Sequence, residues 1–139
     1  MDITNNNEKA SSSVLKHLRM FYDSWKTNDL KIIDTLFSPE WEDIPLAPGM
    51  SEGPEGLKQL INFFHGNFPD VEITVLDMFG TNEKIAVRAE LTFLHNKEFM
   101  GISASNRNVR ISLFEIHQIK KDRIVRTWHL EDWFSLLKQ

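Results

Sequence analysis

Ile85-Ala86-Val87-Arg88-Ala89-Glu90-Leu91-Thr92-Phe93 places an apolar residue at every second position. A period of two is a strand with one buried face. The run continues to about His95, and the same grammar holds on both sides of it. Val71, Ile73 and Val75 alternate with Glu72 and Thr74 before a turn at Gly80-Thr81-Asn82. Val109 to Ile119 is a second long strand, and Lys121-Asp122 turns it into a last one, Ile124 to about Asp132. Consecutive strands joined by short turns pair antiparallel.

Upstream the period changes to that of a helix. Ser11, Ser12 and Ser13 offer N-caps. Val14, Leu18, Phe21 and Trp25 form one stripe of a helix running to about Asn28. Asp29 caps a short helix carrying Leu30, Ile33, Leu36 and Phe37, which Pro39 ends. Glu40 to Gly53 reads as a short extended piece and a loop. Pro54 opens a third helix striped by Leu57, Leu60, Ile61 and Phe64, with Gly66 as its stop. Helices first and strands last make the class α+β. A strongly curved, mainly antiparallel sheet wrapped around three N-terminal helices is a conical barrel with an apolar mouth. Residues 1–10 are polar and Asn-rich and read as a flexible tail, leaving 11–139 as a single domain.

Of the 139 residues, 41% are hydrophobic and 26% charged, a globular balance that excludes wholesale disorder. No cysteine is present, so disulfides, thiolate metal sites and a cysteine nucleophile are excluded. The net charge of -4 disfavours nucleic acid as a partner. Apolar runs are too short for a membrane span, and the start has no secretory pattern, which points to a cytoplasmic protein. Ten Phe and four Trp are enough rings to fill a small core or to line an apolar cavity.

Several chemistries lack their residues. There is no G-x-S-x-G elbow, no phosphate loop and no dinucleotide fingerprint. His95-x-x-Glu98 and His129-x-Glu131 are the close His/carboxylate pairs, and no third ligand accompanies either, so no metal is expected. No lysine sits in an apolar run where desolvation could prepare it for Schiff-base work. Acid–base chemistry by carboxylates and histidines in an aromatic cavity is what remains.

Six segments then carry a family resemblance. They are Pro45-Leu46-Ala47-Pro48-Gly49, Gly53-Pro54-Glu55-Gly56-Leu57, Asn67-Phe68-Pro69-Asp70, His95-Asn96-Lys97-Glu98-Phe99-Met100-Gly101, Ile124 to Asp132, and Leu136-Leu137-Lys138-Gln139. In this order they resemble the signature of SnoaL-like polyketide (ester) cyclases, and Ile85-Ala86-Val87-Arg88 resembles the family's "vavR" strand. The resemblance covers about residues 40–139. It implies the cone fold shared with ketosteroid isomerase and nuclear transport factor two, and a pocket between sheet and helices, commonly in a homodimer. It also implies ring closure by intramolecular aldol condensation without cofactor. The family's acid/base aspartate falls on Asp132 and its pocket histidine on His95. Two positions where the family carries histidine are Ile44 and Thr127 here, which makes the pocket more apolar.

Parity refines these assignments. Counted from Ile124, the residues Trp128, Leu130 and Asp132 share one face, so Asp132 stands among apolar neighbours that would raise its pKa. The other reading makes Asp132 the cap of a turn over Phe134 to Gln139. His95 continues the apolar parity of Ile85 to Phe93. Trp41, Phe64, Phe99, Phe114 and Trp128 are the expected cavity walls. Arg88 lies on the polar face, where a cross-strand ion pair is expected. His17, His65 and His117 are expected at the surface or as satisfied structural groups.

Two functions fit. One is a cyclase, isomerase or lyase-type enzyme acting on a small apolar carbonyl compound, with Asp132 moving the proton and His95 holding the enolate. The other is a non-catalytic protein binding a small apolar ligand. The long strands Ile85 to His95 and Val109 to Ile119 are apolar on both faces, which predicts a homodimer through the outer sheet face.

Overall fold

A computed structural model describes residues 9–139. The polar stretch 1–8, most of the expected tail, lies outside the described residues. The remainder of that tail is tied down: Lys9 bridges to Thr81, and the Ala10 N–H donates to Gly80 O at 3.3 Å.

Helix α1 spans Ser12–Thr27, and the Ser11 hydroxyl accepts from Val14 N at its start. It buries Val14, Leu18, Phe21, Tyr22 and Trp25. Tyr22 stands four residues after Leu18, so it belongs to the same stripe. Helix α2, Lys31–Leu36, is short, and strand β1, Phe37–Ile44, follows without a loop. The chain is therefore extended earlier than Pro39, which lies inside β1 instead of ending a helix. Helix α3, Gly53–Asn67, carries Pro54 in its first turn. Lys58 pins α3 to α2, with Nζ 2.8 Å from Asp34 Oδ1.

Four strands complete the sheet: β2 Glu72–Gly80, β3 Lys84–Leu94, β4 Asn108–Lys120 and β5 Arg123–Glu131. Their order is β1-β5-β4-β3-β2 in one open five-stranded sheet. All neighbours pair antiparallel except β1, which lies parallel to β5 at the edge. A 3-10 helix, Trp133–Lys138, closes the chain. The fold is α+β, with the helices on the N-terminal side of the sheet. Among the described residues no helix is long and apolar enough to cross a membrane.

Two bulges decide which side chains face inward. In β5 the register slips beside Gln118 and Ile119, so one extra residue intervenes between the inward Ile124 and the inward Thr127. Beyond it Thr127, His129 and Glu131 face the helices, while Trp128 and Leu130 face out. A second slip, between Val75 and Asp77, lets Ile73, Val75 and Met78 all pack against the core. A bulge adds one residue without breaking the strand, and so reverses parity beyond it. In β4 the inward set is uninterrupted: Val109, Ile111, Leu113, Glu115, His117 and Ile119.

Candidate functional site

Six polar side chains share the inner face of β1, β5 and β4 with that apolar set: Asp43, Thr127, His129, Glu131, Glu115 and His117. Glu115 pairs directly across the ladder with His129, and His117 with Thr127. Asp43 in β1 pairs with Thr127. Tyr22, the chain's one tyrosine, reaches the group from α1.

His129 is held from both sides. Its Nδ1 lies 2.6 Å from Glu131 Oε2, and its Nε2 lies 2.9 Å from Asp43 Oδ1 and 2.8 Å from Pro45 O. Burial alone would lower its pKa. The hydrogen bonds to Asp43 and Glu131, and the charges of both, overcome this and raise it to about 11. The ring is a fixed imidazolium at neutral pH.

Glu115 sits beside it. The Tyr22 hydroxyl donates to Glu115 Oε1 at 2.5 Å. Burial raises the Glu115 pKa to about 7, against the lowering effect of the Tyr22 hydrogen bond and the His129 charge, with Glu131 and Asp43 adding to the rise. The side chain keeps 17% exposure, so solvent can reach it. Burial also keeps the Tyr22 proton on, with the Glu115 charge and hydrogen bond acting in the same sense.

His117 is buried, with Nε2 2.8 Å from Tyr22 Oη and Nδ1 2.8 Å from Thr127 Oγ1. Burial, then the His129 charge, lower its pKa to about 3, so it is neutral. It is the satisfied structural group expected from sequence, not a surface residue. Trp41 donates from Nε1 to Thr127 Oγ1 at 2.9 Å. Glu115, His129 and Glu131 bring ligand atoms within 4.8 Å of one another. Both His129 nitrogens already donate, so the ring offers no lone pair and the group is a charge cluster.

The residues singled out in the sequence are placed as follows. Asp132 is exposed and outside the cluster; its Oδ1 accepts from Ser135 N at 3.2 Å and caps the 3-10 helix. The β5 bulge is the reason the parity counted from Ile124 misplaces it. His95 is fully buried at the end of β3, with Nδ1 3.2 Å from Ser105 Oγ and Nε2 without a hydrogen-bond partner. Among the described residues its side-chain hydrogen bonds run to Ser105 and not to the cluster. Phe64 and Phe99 do meet, 5.5 Å apart between centroids, in an aromatic group with Phe68, Phe93 and Trp133. Trp41 is buried, and its ring packs edge-on against Phe37. Phe114 and Trp128 are corrections: both point to the outer face, where Phe114 is 59% exposed and Trp128 lies under Lys84 and Arg126. They line no inner pocket. Arg88 pairs across strands with Asp77, Nε to Oδ2 2.6 Å. A surface cleft of about 480 Å³ lies against β1, lined by Trp41, Asp43, Leu46 and Glu52 among others.

Sequence reading missed Glu115, Tyr22, Asp43 and the clamped state of His129. The signal for Glu115 was its odd-numbered place in the series Val109, Ile111, Leu113.

Comparison with known proteins agrees with the architecture. The family model for SnoaL-like polyketide cyclases matches residues 15–139. No curated protein matches the chain. Among solved structures, TsrD from Streptomyces laurentii superposes with a TM-score of 0.82 at 21% identity, covering 93% of this chain and 96% of that one. Wild-type IdmH from Streptomyces antibioticus, a proposed polyketide cyclase, gives 0.75 at 23% identity, over 90% and 96%. A SnoaL-like polyketide cyclase from Agrobacterium tumefaciens gives 0.76 at 16% identity, over 91% and 96%. With the family model covering nearly the whole of the described chain, the protein belongs to the SnoaL-like polyketide cyclase family.

Proposed function

We propose that the protein catalyses cofactor-free acid–base chemistry on a small apolar carbonyl compound, with Glu115 carrying the proton. The observation behind this reading is the placement of Glu115. It is a solvent-reachable carboxyl on the inner sheet face, engaged at Oε1 by Tyr22 and set across the ladder from an imidazolium. Its proton affinity lies near neutrality, where a group can both take and return a proton. Ionised Glu115 removes a proton α to a carbonyl. The enolate carbon then forms a bond to a second carbonyl carbon of the same molecule. The resulting alkoxide takes the proton back from Glu115, so the product is an isomer of the substrate. The fixed charge of His129 favours the enolate and alkoxide. The proton-carrying role goes to Glu115, not Asp132, because Asp132 is exposed and spent on a cap.

The test is deuterium exchange in D2O, followed by NMR, on a panel of small apolar β-dicarbonyl esters. Wild type should exchange the α-hydrogen, and Glu115→Gln should lose about 10²–10⁴-fold of that rate. An unimpaired Glu115→Gln would remove the reading. A second reading, a binding protein without turnover, draws on one observation: the donors of Tyr22, His117, Thr127 and Trp41 already have acceptors within the protein. Tight binding of a panel member without exchange would favour it.

A second copy of the chain is the partner we propose. One apolar row crosses the outer face of all five strands: Ile44, Trp128, Ile116, Ala86 and Phe79, each paired with the next. Leu130 at 73% exposure and Phe114 stand beside it. The charges around the row come as both signs, in the pairs Arg88–Asp77, Arg110–Glu90 and Arg126–Glu42. Such a face is complementary to itself in a two-fold pair.

A further inference from the structure

We propose that Trp41, Thr127, His117 and Tyr22 form a one-way hydrogen-bond chain that positions Glu115 and sets its proton affinity. The inference rests on Glu115 being the acid–base group for its catalytic meaning, but the chain itself stands on geometry.

The direction of every bond follows from the donors available. An indole nitrogen can only donate, so Trp41 gives its hydrogen to Thr127 Oγ1, 2.9 Å away. The Thr127 hydroxyl then has its own hydrogen to give, and His117 Nδ1 at 2.8 Å receives it. A neutral imidazole that accepts at Nδ1 carries its hydrogen at Nε2. That hydrogen goes to Tyr22 Oη at 2.8 Å, and the Tyr22 hydroxyl donates to Glu115 Oε1 at 2.5 Å. The opposite polarity would leave the buried Thr127 hydroxyl hydrogen without an acceptor among the described residues. The chain thus has a fixed head at Trp41 and a fixed end on Glu115. Bonds aligned head to tail polarise one another, so the last donor is a strong one.

Two consequences follow for Glu115. Oε1 is permanently occupied as an acceptor, which leaves the other oxygen for the exchanging proton. A bond donated to a carboxylate also favours its ionised form, which opposes burial. The other groups facing Glu115 are His129 and Glu131 on β5 and Asp43 on β1, with His117 Nε2 3.8 Å from its Oε1 on β4 itself. The side chains of His129, Glu131 and Asp43 keep their own bonds when the chain is cut at Tyr22 or Thr127, while His117 loses one partner. None of the four chain residues needs to touch substrate, so they are positioning residues.

The experiment is an NMR titration of the Glu115 side-chain carboxyl, assigned by its loss in Glu115→Gln. Tyr22→Phe removes the last donor and should raise the midpoint by roughly one pH unit. Thr127→Val frees the His117 tautomer, so Tyr22 can turn its hydrogen away from Glu115; the midpoint should rise in the same direction. Thr127→Ser keeps the hydroxyl and should restore the wild-type midpoint. A structural role alone would lower stability in Thr127→Val without moving the titration. Unmoved midpoints in folded Tyr22→Phe and Thr127→Val overturn the chain. A midpoint that moves as stated, in a protein that exchanges no panel compound, keeps the chain and removes the catalytic reading instead. If Tyr22→Phe does not fold, the Val/Ser pair at Thr127 decides alone.

Discussion

Glu115 and His129 occupy opposite places in the β4–β5 ladder, so the register of two strands sets a carboxyl against an imidazolium. Directly opposed residues have Cβ atoms about 5 Å apart. A clamp on the ring then fixes the charge that the carboxyl meets.

That clamp predicts alkaline sensitivity. The folded pKa of His129, about 11, lies above its ordinary 6.5. Its contribution is fully present below pH 6.5 and is lost as the pH rises toward 11. His129→Gln leaves Asp43 and Glu131 without their counter-charge and should cost about 2–3 kcal/mol near neutrality, less than for a fully buried pair. Urea midpoints at intervals between pH 7 and 10 should fall steeply in wild type and flatten in the variant.

His117 predicts the opposite slope. Its folded pKa, about 3, lies below the ordinary 6.5, so the neutral ring favours the fold fully above pH 6.5 and loses this as the pH falls toward 3. The slope from this one proton is at most about 1.4 kcal/mol per pH unit. His117→Gln should be less stable at pH 7 and less sensitive between pH 6 and 4. An equal slope in both proteins would contradict the assignment.

Asp132 is expected to act on stability alone. Asp132→Ala should cost about 0.5–2 kcal/mol, and Asp132→Asn little, because an amide oxygen also caps. Denaturant midpoints for the two variants, next to deuterium exchange, separate a cap from an acid.

The outer face predicts a dimer that a single charge can split. Leu130→Asp places a carboxylate beside the apolar row while leaving the inner face untouched. Sedimentation should find wild type paired at micromolar concentration and the variant monomeric. A wild-type monomer under these conditions would remove the partner.

Gly56 gives a packing test. A Cβ there would stand 1.7 Å from the Ser51 carbonyl oxygen. Gly56→Ala should force α3 away from the 45–52 loop, whose Pro45 carbonyl holds His129, at a cost of roughly 1–3 kcal/mol in thermal or urea unfolding.

The helix stripes, the β3 and β4 strands and the Lys121-Asp122 turn were legible because period alone defines them. The parallel pairing of β1 was not, since a parallel neighbour is distant in sequence and leaves no turn between the two strands. The inner face of β5 was hidden by its bulge: a count from Ile124 lands on Trp128 and Asp132, whereas the inward residues are Thr127, His129 and Glu131. Glu115 and His117 were in phase with Val109 and Ile111, but Phe114 and Ile116 made both faces look apolar and concealed the polar pair. Tyr22 lay on the α1 stripe, yet its partner is 93 residues away, a relation no local pattern carries.

Among the described residues β1 is an edge strand of the open sheet, and Pro39 lies within it with Pro45 just beyond. A proline has no N–H to lend to a strand from another molecule. That edge is therefore blunted against strand addition. Growth by strand addition, the route to fibrous aggregates, is disfavoured at that border.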